Sequence, residues 1–207
     1  MAEAAEGGKD FLGLVVVETP TTNPNTREEF QKKKASIEMG YVNDTAMSQW
    51  IPPSMIQKSA GTWTPTVASN TVGDVRTAAD AAFNLMVPIK IPGNSVGLKG
   101  ARLKSVELLY RTATAALDAV ATVELEKMTV AASTNVVTGA AVTVTINSAE
   151  DTDAKRLTLA SHRVIVTVTN PEWVDNDVMY SLYVTFDAAA TSVVTLWGAV
   201  VNFDLRV

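Results

Sequence analysis

From about Phe83 to Val207 apolar and polar residues alternate in short runs bounded by turn residues, and each run reads as a β-strand with one buried face. The first run, Phe83 to Ile91, contains a proline that suits an edge or a bulge, and Pro92-Gly-Asn94 turns it. In Leu103 to Thr112, Val106, Leu108 and Tyr110 share one face while Glu107, Leu109 and Arg111 share the other. Val120 to Val130 places Ala121, Val123 and Leu125 opposite Thr122, Glu124 and Glu126. Val142, Val144 and Ile146 then alternate with Thr143 and Thr145, followed by an acidic turn, a run from Lys155 to Leu159, and Arg163 to Thr169 with three valines on one side. Val178 to Asp187 sets Tyr180, Leu182, Val184 and Phe186 on one face, and the last strand turns Ala199, Val201, Phe203, Leu205 and Val207 inward. Seven or eight antiparallel strands without intervening helices predict an all-β fold, an antiparallel β-sandwich of jelly-roll-like kind.

The first eighty residues lack that period. Residues 1–10 are polar and small, Phe11 to Glu18 reads as one short strand, and Pro20 with Thr21-Thr-Asn-Pro-Asn25 ends it. Thr26 and Glu29 have the spacing of a capping box, which predicts a brief helix to Lys34; its basic last turn complements the helix dipole. From Ala35 to Asp80, Tyr41, Trp50, Ile51, Met55, Ile56 and Trp63 are scattered among polar residues and broken by Pro52-Pro53. This stretch reads either as an extended segment lying in the groove of another molecule or as a long ordered loop folded back on its own domain. The expected organisation is an extended N-terminal arm over residues 1–80 and a sandwich over residues 81–207.

Composition narrows the chemistry. There is no cysteine, which removes disulfides and thiolate metal sites, and the only histidine, His162, stands at a bend without a second one to build a zinc site or a nucleophile pair. A partly exposed strand-end histidine is the expectation. A net charge of −5 argues against a phosphate-neutralising surface, so nucleic acid is set aside as a partner. Phe11 to Val17 is far shorter than the roughly 20 residues that cross a bilayer, and the acidic start does not have the form of a signal peptide, so no membrane partner is expected.

Glu124 and Glu126 present two carboxylates on one strand face, which reads as a solvated face before it reads as a catalytic pair. Two acidic turns, Glu150-Asp-Thr-Asp153 and Trp173-Val-Asp-Asn-Asp177, offer Asp151 with Asp153 and Asp175 with Asp177 as oxygen donors to calcium, yet neither has the spacing of an EF-hand loop. Aspartates that cap their own turns are the simpler reading. The chain is therefore read as no enzyme, with no cofactor.

An Ala-, Val- and Thr-rich, cysteine-free sandwich behind a long arm, with strands such as Val106-Glu-Leu-Leu-Tyr110 and Tyr180-Ser-Leu-Tyr-Val-Thr-Phe186, resembles the structural proteins of tailed-bacteriophage virions. The nearest in style are capsid cement or decoration proteins and head or tail fibre domains. That resemblance implies a homo-oligomer, often a trimer, made in the host cytoplasm and carried in the virion, whose partners are the major capsid protein or other virion subunits. On this reading Phe11, Leu14 and Val16 belong to a strand added to a neighbour's sheet, and Trp50, Ile51, Met55 and Ile56 dock in its apolar pockets. The alternatives are a carbohydrate-binding or receptor-binding fibre or tail module, with Trp173 as a stacking residue, and a main shell subunit.

Overall fold

The computed structural model describes residues 44–68, 71–93, 100–130, 136–174 and 178–206. Its strands are β1 (Thr45–Ile51), β2 (Gln57–Lys58), β3 (Trp63–Ala68), β4 (Thr71–Arg76), β5 (Ala81–Ile89), β6 (Ala101–Ala113), β7 (Leu117–Val130), β8 (Val137–Ala141), β9 (Val144–Ile146), β10 (Ser161–Val168), β11 (Val178–Ala188) and β12 (Val193–Leu205). A single helical turn, α1 (Asp153–Arg156), precedes β10. The strands form two antiparallel sheets. One has seven strands in the order β3-β4-β12-β6-β10-β9, with β1 also on β12; the other has five, β2-β5-β11-β7-β8.

Within these sheets β4-β12-β6-β10 faces β5-β11-β7-β8, so β4 pairs with β12, β5 with β11, β6 with β10 and β7 with β8. That nesting is the jelly-roll order, two Greek keys rolled together. The alternation read from the sequence supplies its core. Val106, Leu108, Tyr110, Val164, Val166, Val194, Leu196 and Val201 from the larger sheet meet Phe83, Leu85, Val87, Leu125, Leu182, Val184 and Phe186 from the smaller, all essentially inaccessible. Each such side chain contributes roughly 1.5–3 kcal/mol of burial. Phe186 is central: it stacks on Phe83 at 4.9 Å and meets Tyr110 edge-on at 5.2 Å.

Residues 44–80 differ from the expected arm, for they are woven into both sheets. β1 pairs along β12 from Thr45 opposite Leu205 to Ile51 opposite Ala199. Pro52 and Pro53 then end the strand and open a 3-10 turn, which carries the chain to β2 in the smaller sheet. The β3–β4 hairpin returns to the larger sheet, where only the base of β4, Asp74 to Arg76, pairs with β12. Lys58 fastens the crossing by donating to Asp74 at 2.6 Å and to the Pro53 carbonyl at 2.7 Å. The predicted strand at Phe11 to Glu18 and the predicted helix to Lys34 lie outside the described residues.

β1 and β4 share one side of β12 end to end, and the changeover falls at a bulge where the β12 register against β6 shifts between Leu196 and Gly198. Gly198 has φ +128°, a conformation that only glycine adopts readily. Three smaller departures follow. The alternation from Val142 to Ile146 predicts one strand, but the chain leaves the smaller sheet after Ala141 and joins the larger only at Val144. The run from Lys155 to Leu159 is no strand, since α1 occupies its start. A register shift in the β11–β7 pairing turns Val120 rather than Ala121 inward.

Candidate functional site

The polar residues that could carry chemistry are drawn into the fold itself. Glu150, at the start of the acidic turn, is buried with His162: His162 Nδ1 lies 3.1 Å and 3.2 Å from the two carboxylate oxygens, and Nε2 lies 2.9 Å from the Thr158 carbonyl. Both ring nitrogens face oxygen acceptors of the chain itself. The histidine expected to be partly exposed is therefore buried. Arg156 on α1 donates to the Val120 carbonyl at 3.0 Å and to the Glu150 carbonyl at 2.9 Å, while Tyr110 donates to the Arg156 carbonyl at 2.6 Å. The cluster staples the turn between β9 and β10 over the end of the sandwich, and its groups are spent on one another.

Burial pushes the Tyr110 phenol well above its ordinary range, and the Glu150 charge adds to the shift. A group whose acidity is weakened by folding gives stability that is whole below about pH 10 and is lost as pH rises beyond, because the unfolded phenol then ionises and the buried one does not. Tyr110→Phe is expected to flatten the fall of the urea midpoint between about pH 10 and 11.5, with the less buried Tyr180 retaining part of it. An unchanged slope in the Phe variant would remove Tyr110 from this account.

The acidic turns are similarly committed. Asp151 pairs with Lys155 at 2.6 Å, which holds its carboxyl below the usual range, and Asp153 accepts from the Val120 amide at 2.5 Å. With Glu150 on His162, the three carboxylates of this turn serve three different partners. Asp175 and Asp177 lie outside the described residues, among which no group of three or more His, Asp or Glu gathers in a form that could hold a metal ion. Glu124 and Glu126 stand on the outer face of the smaller sheet, opposite Tyr183 and Ser181. Trp173 has the guanidinium of Arg206 4.1 Å and that of Arg102 5.0 Å from its ring centre, and both arginines pair with Asp44. Cations over the ring compete with any sugar for the same surface.

Of the expected arm contacts, Phe11, Leu14 and Val16 lie outside the described residues. Ile51 and Ile56 are buried in the chain's own core, on either side of the Pro52-Pro53 turn. Trp50 and Met55 point outward, 51% and 59% exposed. Trp50 shares the outer face of the larger sheet with a row of hydrogen bonds across four strands, Ser48 to Asn202, Asn202 to Glu107 and Arg163 to Glu107.

Exposed apolar side chains gather at the ends of hairpins. Val67 and Val72 face each other across β3–β4, 89% and 69% exposed, and Val130 and Val137 do so across β7–β8, with Val136 exposed next to Val137. Between the sheets, beneath β1, a groove of about 690 Å³ is lined by Gln49, Ile89, Lys90, Ile91, Met179 and Phe203, among others. The hairpin valines were absent from the sequence-based reading. For Val130, Val136 and Val137 the signal is the long uncharged stretch between Lys127 and Glu150.

No family model and no curated protein matches this chain. Among solved structures it is similar to a carbohydrate-binding module, TmCBM61 in complex with beta-1,4-galactotriose, with 8% identity and a TM-score of 0.33 over 80% of this chain and 92% of the module. It is also similar to the enzymatically active domain of bacteriophage CBA120 tailspike protein 4, with 9% identity and a TM-score of 0.29 over 82% of this chain and 20% of the tailspike chain.

Proposed function

We propose that this protein is a structural component of a virion, a jelly-roll subunit that decorates or cements a shell by contacts between proteins. The observation that carries the reading is the distribution of exposed apolar groups: Trp50, Met55, Val67 and Val72 stand along one side of the sandwich, at an edge strand, a turn and a hairpin tip. The polar groups best suited to chemistry are sealed inside. Protein interfaces favour such aromatic and aliphatic anchors at their centres. The chain would be made in the host cytoplasm, oligomerise, and attach to the major capsid protein or another virion subunit. The segment containing Phe11, Leu14 and Val16 would add to a neighbour's sheet.

The test is co-sedimentation of the full chain with assembled shells of its virus. A Trp50→Asp/Val67→Asp variant, altered only at exposed positions, is expected to lose at least about tenfold in occupancy while melting like the unmodified protein. Full occupancy by that variant would end the proposal. A second reading, a receptor-binding or carbohydrate-binding tail module, draws its support from the 690 Å³ groove beneath β1, which has polar Gln49 and Lys90 beside apolar walls. Glycan-array binding that is lost in Gln49→Ala and Lys90→Ala would favour it.

A further inference from the structure

Among the described residues the outer edge of β8 is an unprotected place in the smaller sheet. β8 pairs with β7 on one side and ends the sheet on the other, and all five of its residues are exposed. The Val142 amide donates to the Leu125 carbonyl of β7 at 2.8 Å. By the two-residue alternation of an antiparallel ladder, Val137, Gly139 and Ala141 therefore turn their N–H and C=O groups away from β7, to a side that no described residue pairs with. Such edges are ordinarily blunted by a charge, a proline or a bulge. Here no charged residue and no proline occurs between Lys127 and Glu150, and the β7–β8 register is unbroken.

Gly139 at the middle of this strand has no internal reason to be glycine. Its backbone is not in a left-handed conformation, and a Cβ built on it would meet nothing within 4 Å. Glycine weakens a strand unless another backbone must come close. The row across the sheet at this level runs Met179, Met128, Gly139, all on the outer face.

We propose that β8 pairs antiparallel with β8 of a second copy of this chain, about a two-fold axis at Gly139. Each Gly139 then exchanges hydrogen bonds with its image, Val137 lies opposite the second copy's Ala141, and the two five-stranded sheets become continuous. Charge selects this occupant. Across a two-fold axis the central residue meets its own image and the strand lies against a reversed copy of itself, so a charged strand would repel its image, whereas the longest uncharged stretch of a chain with net charge −5 does not. The glycines also leave room for Met128 of each copy to lean toward the other, and the exposed Val130 and Val137 extend the apolar contact. This pairing does not rest on the virion reading and would stand if shell binding failed.

The experiment is light scattering on the full chain across a concentration series, with Gly139→Lys and Gly139→Glu measured alone and mixed. Open space at the Cβ position leaves the fold of each variant intact, which a melting curve verifies. The unmodified protein is expected at twice the 22.0 kDa of one chain. Each variant alone should fall to the mass of one chain, with at least about a tenfold weaker dissociation constant from like charges set face to face. Their mixture should return to the doubled mass. An unmodified protein that is monomeric or trimeric throughout, or variants that keep the doubled mass, would overturn the proposal. So would a doubled mass abolished by removing residues 1–20 and not restored in the Lys/Glu mixture, since the edge would then belong to the Phe11 segment.

Discussion

Gly198→Ala is expected to destabilise the protein by about 3 kcal/mol and to loosen β1 from the sheet. Two costs add at this position. The backbone stands at φ +128°, where an L side chain is strained, and the new Cβ would lie 2.5 Å from the Ile51 carbonyl oxygen and 3.0 Å from the Trp50 ring. The nearer atom is backbone, held by the β1–β12 ladder, so relief requires one of those strands to shift. Urea unfolding gives the loss, and limited proteolysis within residues 44–51 reports whether β1 is the part released. A change below about 0.5 kcal/mol, the scale of an ordinary surface substitution, would refute the argument. Gly139→Ala, at a position with open space, is the matched control.

Arg156→Ala is the second large effect, with an expected loss of about 3–5 kcal/mol in urea unfolding at neutral pH. The guanidinium is buried and serves the carbonyls of Val120 and Glu150 together. Removing it strands both acceptors away from water and leaves the negative Glu150 beside His162 with one less positive neighbour. Arg156→Lys keeps the charge but cannot reproduce the planar fork, so it should fall between the two. A near-neutral Ala variant would mean that water enters the site and takes over the two carbonyls.

How much of this was legible in the sequence depends on which strands have something above them. Where one face is covered, as in Val106-Glu-Leu-Leu-Tyr110 and Tyr180 to Phe186, the alternation assigned the buried residues correctly, because burial itself imposes the period. β1 carries no such imprint, since Thr45 to Trp50 are all exposed and the strand is held to β12 by main-chain bonds that any sequence can make. Ile51 and Ile56 were recognised as anchors, but a pattern of apolar residues does not say whether the pocket they fill is the chain's own. The crossing at Val142-Thr143 is hidden for a related reason: alternation continues through a strand that changes sheets. His162 and Glu150 are twelve positions apart, and only the fold brings them together.

The placement of β12 also sets an order of events in making the protein. It lies in the middle of the larger sheet, with β6 on one side and both β1 and β4 on the other. Every other strand of that sheet leaves the ribosome before it. Among the described residues β4 has only β3 as an earlier partner and β1 has none, so β4 waits for roughly 120 further residues and β1 for roughly 140 before β12 exists, and such distant pairings are slow to close. During that interval both strands stand open, and β1, which carries no charge, has nothing to blunt its edge, so the nascent chain is most vulnerable just before β12 emerges.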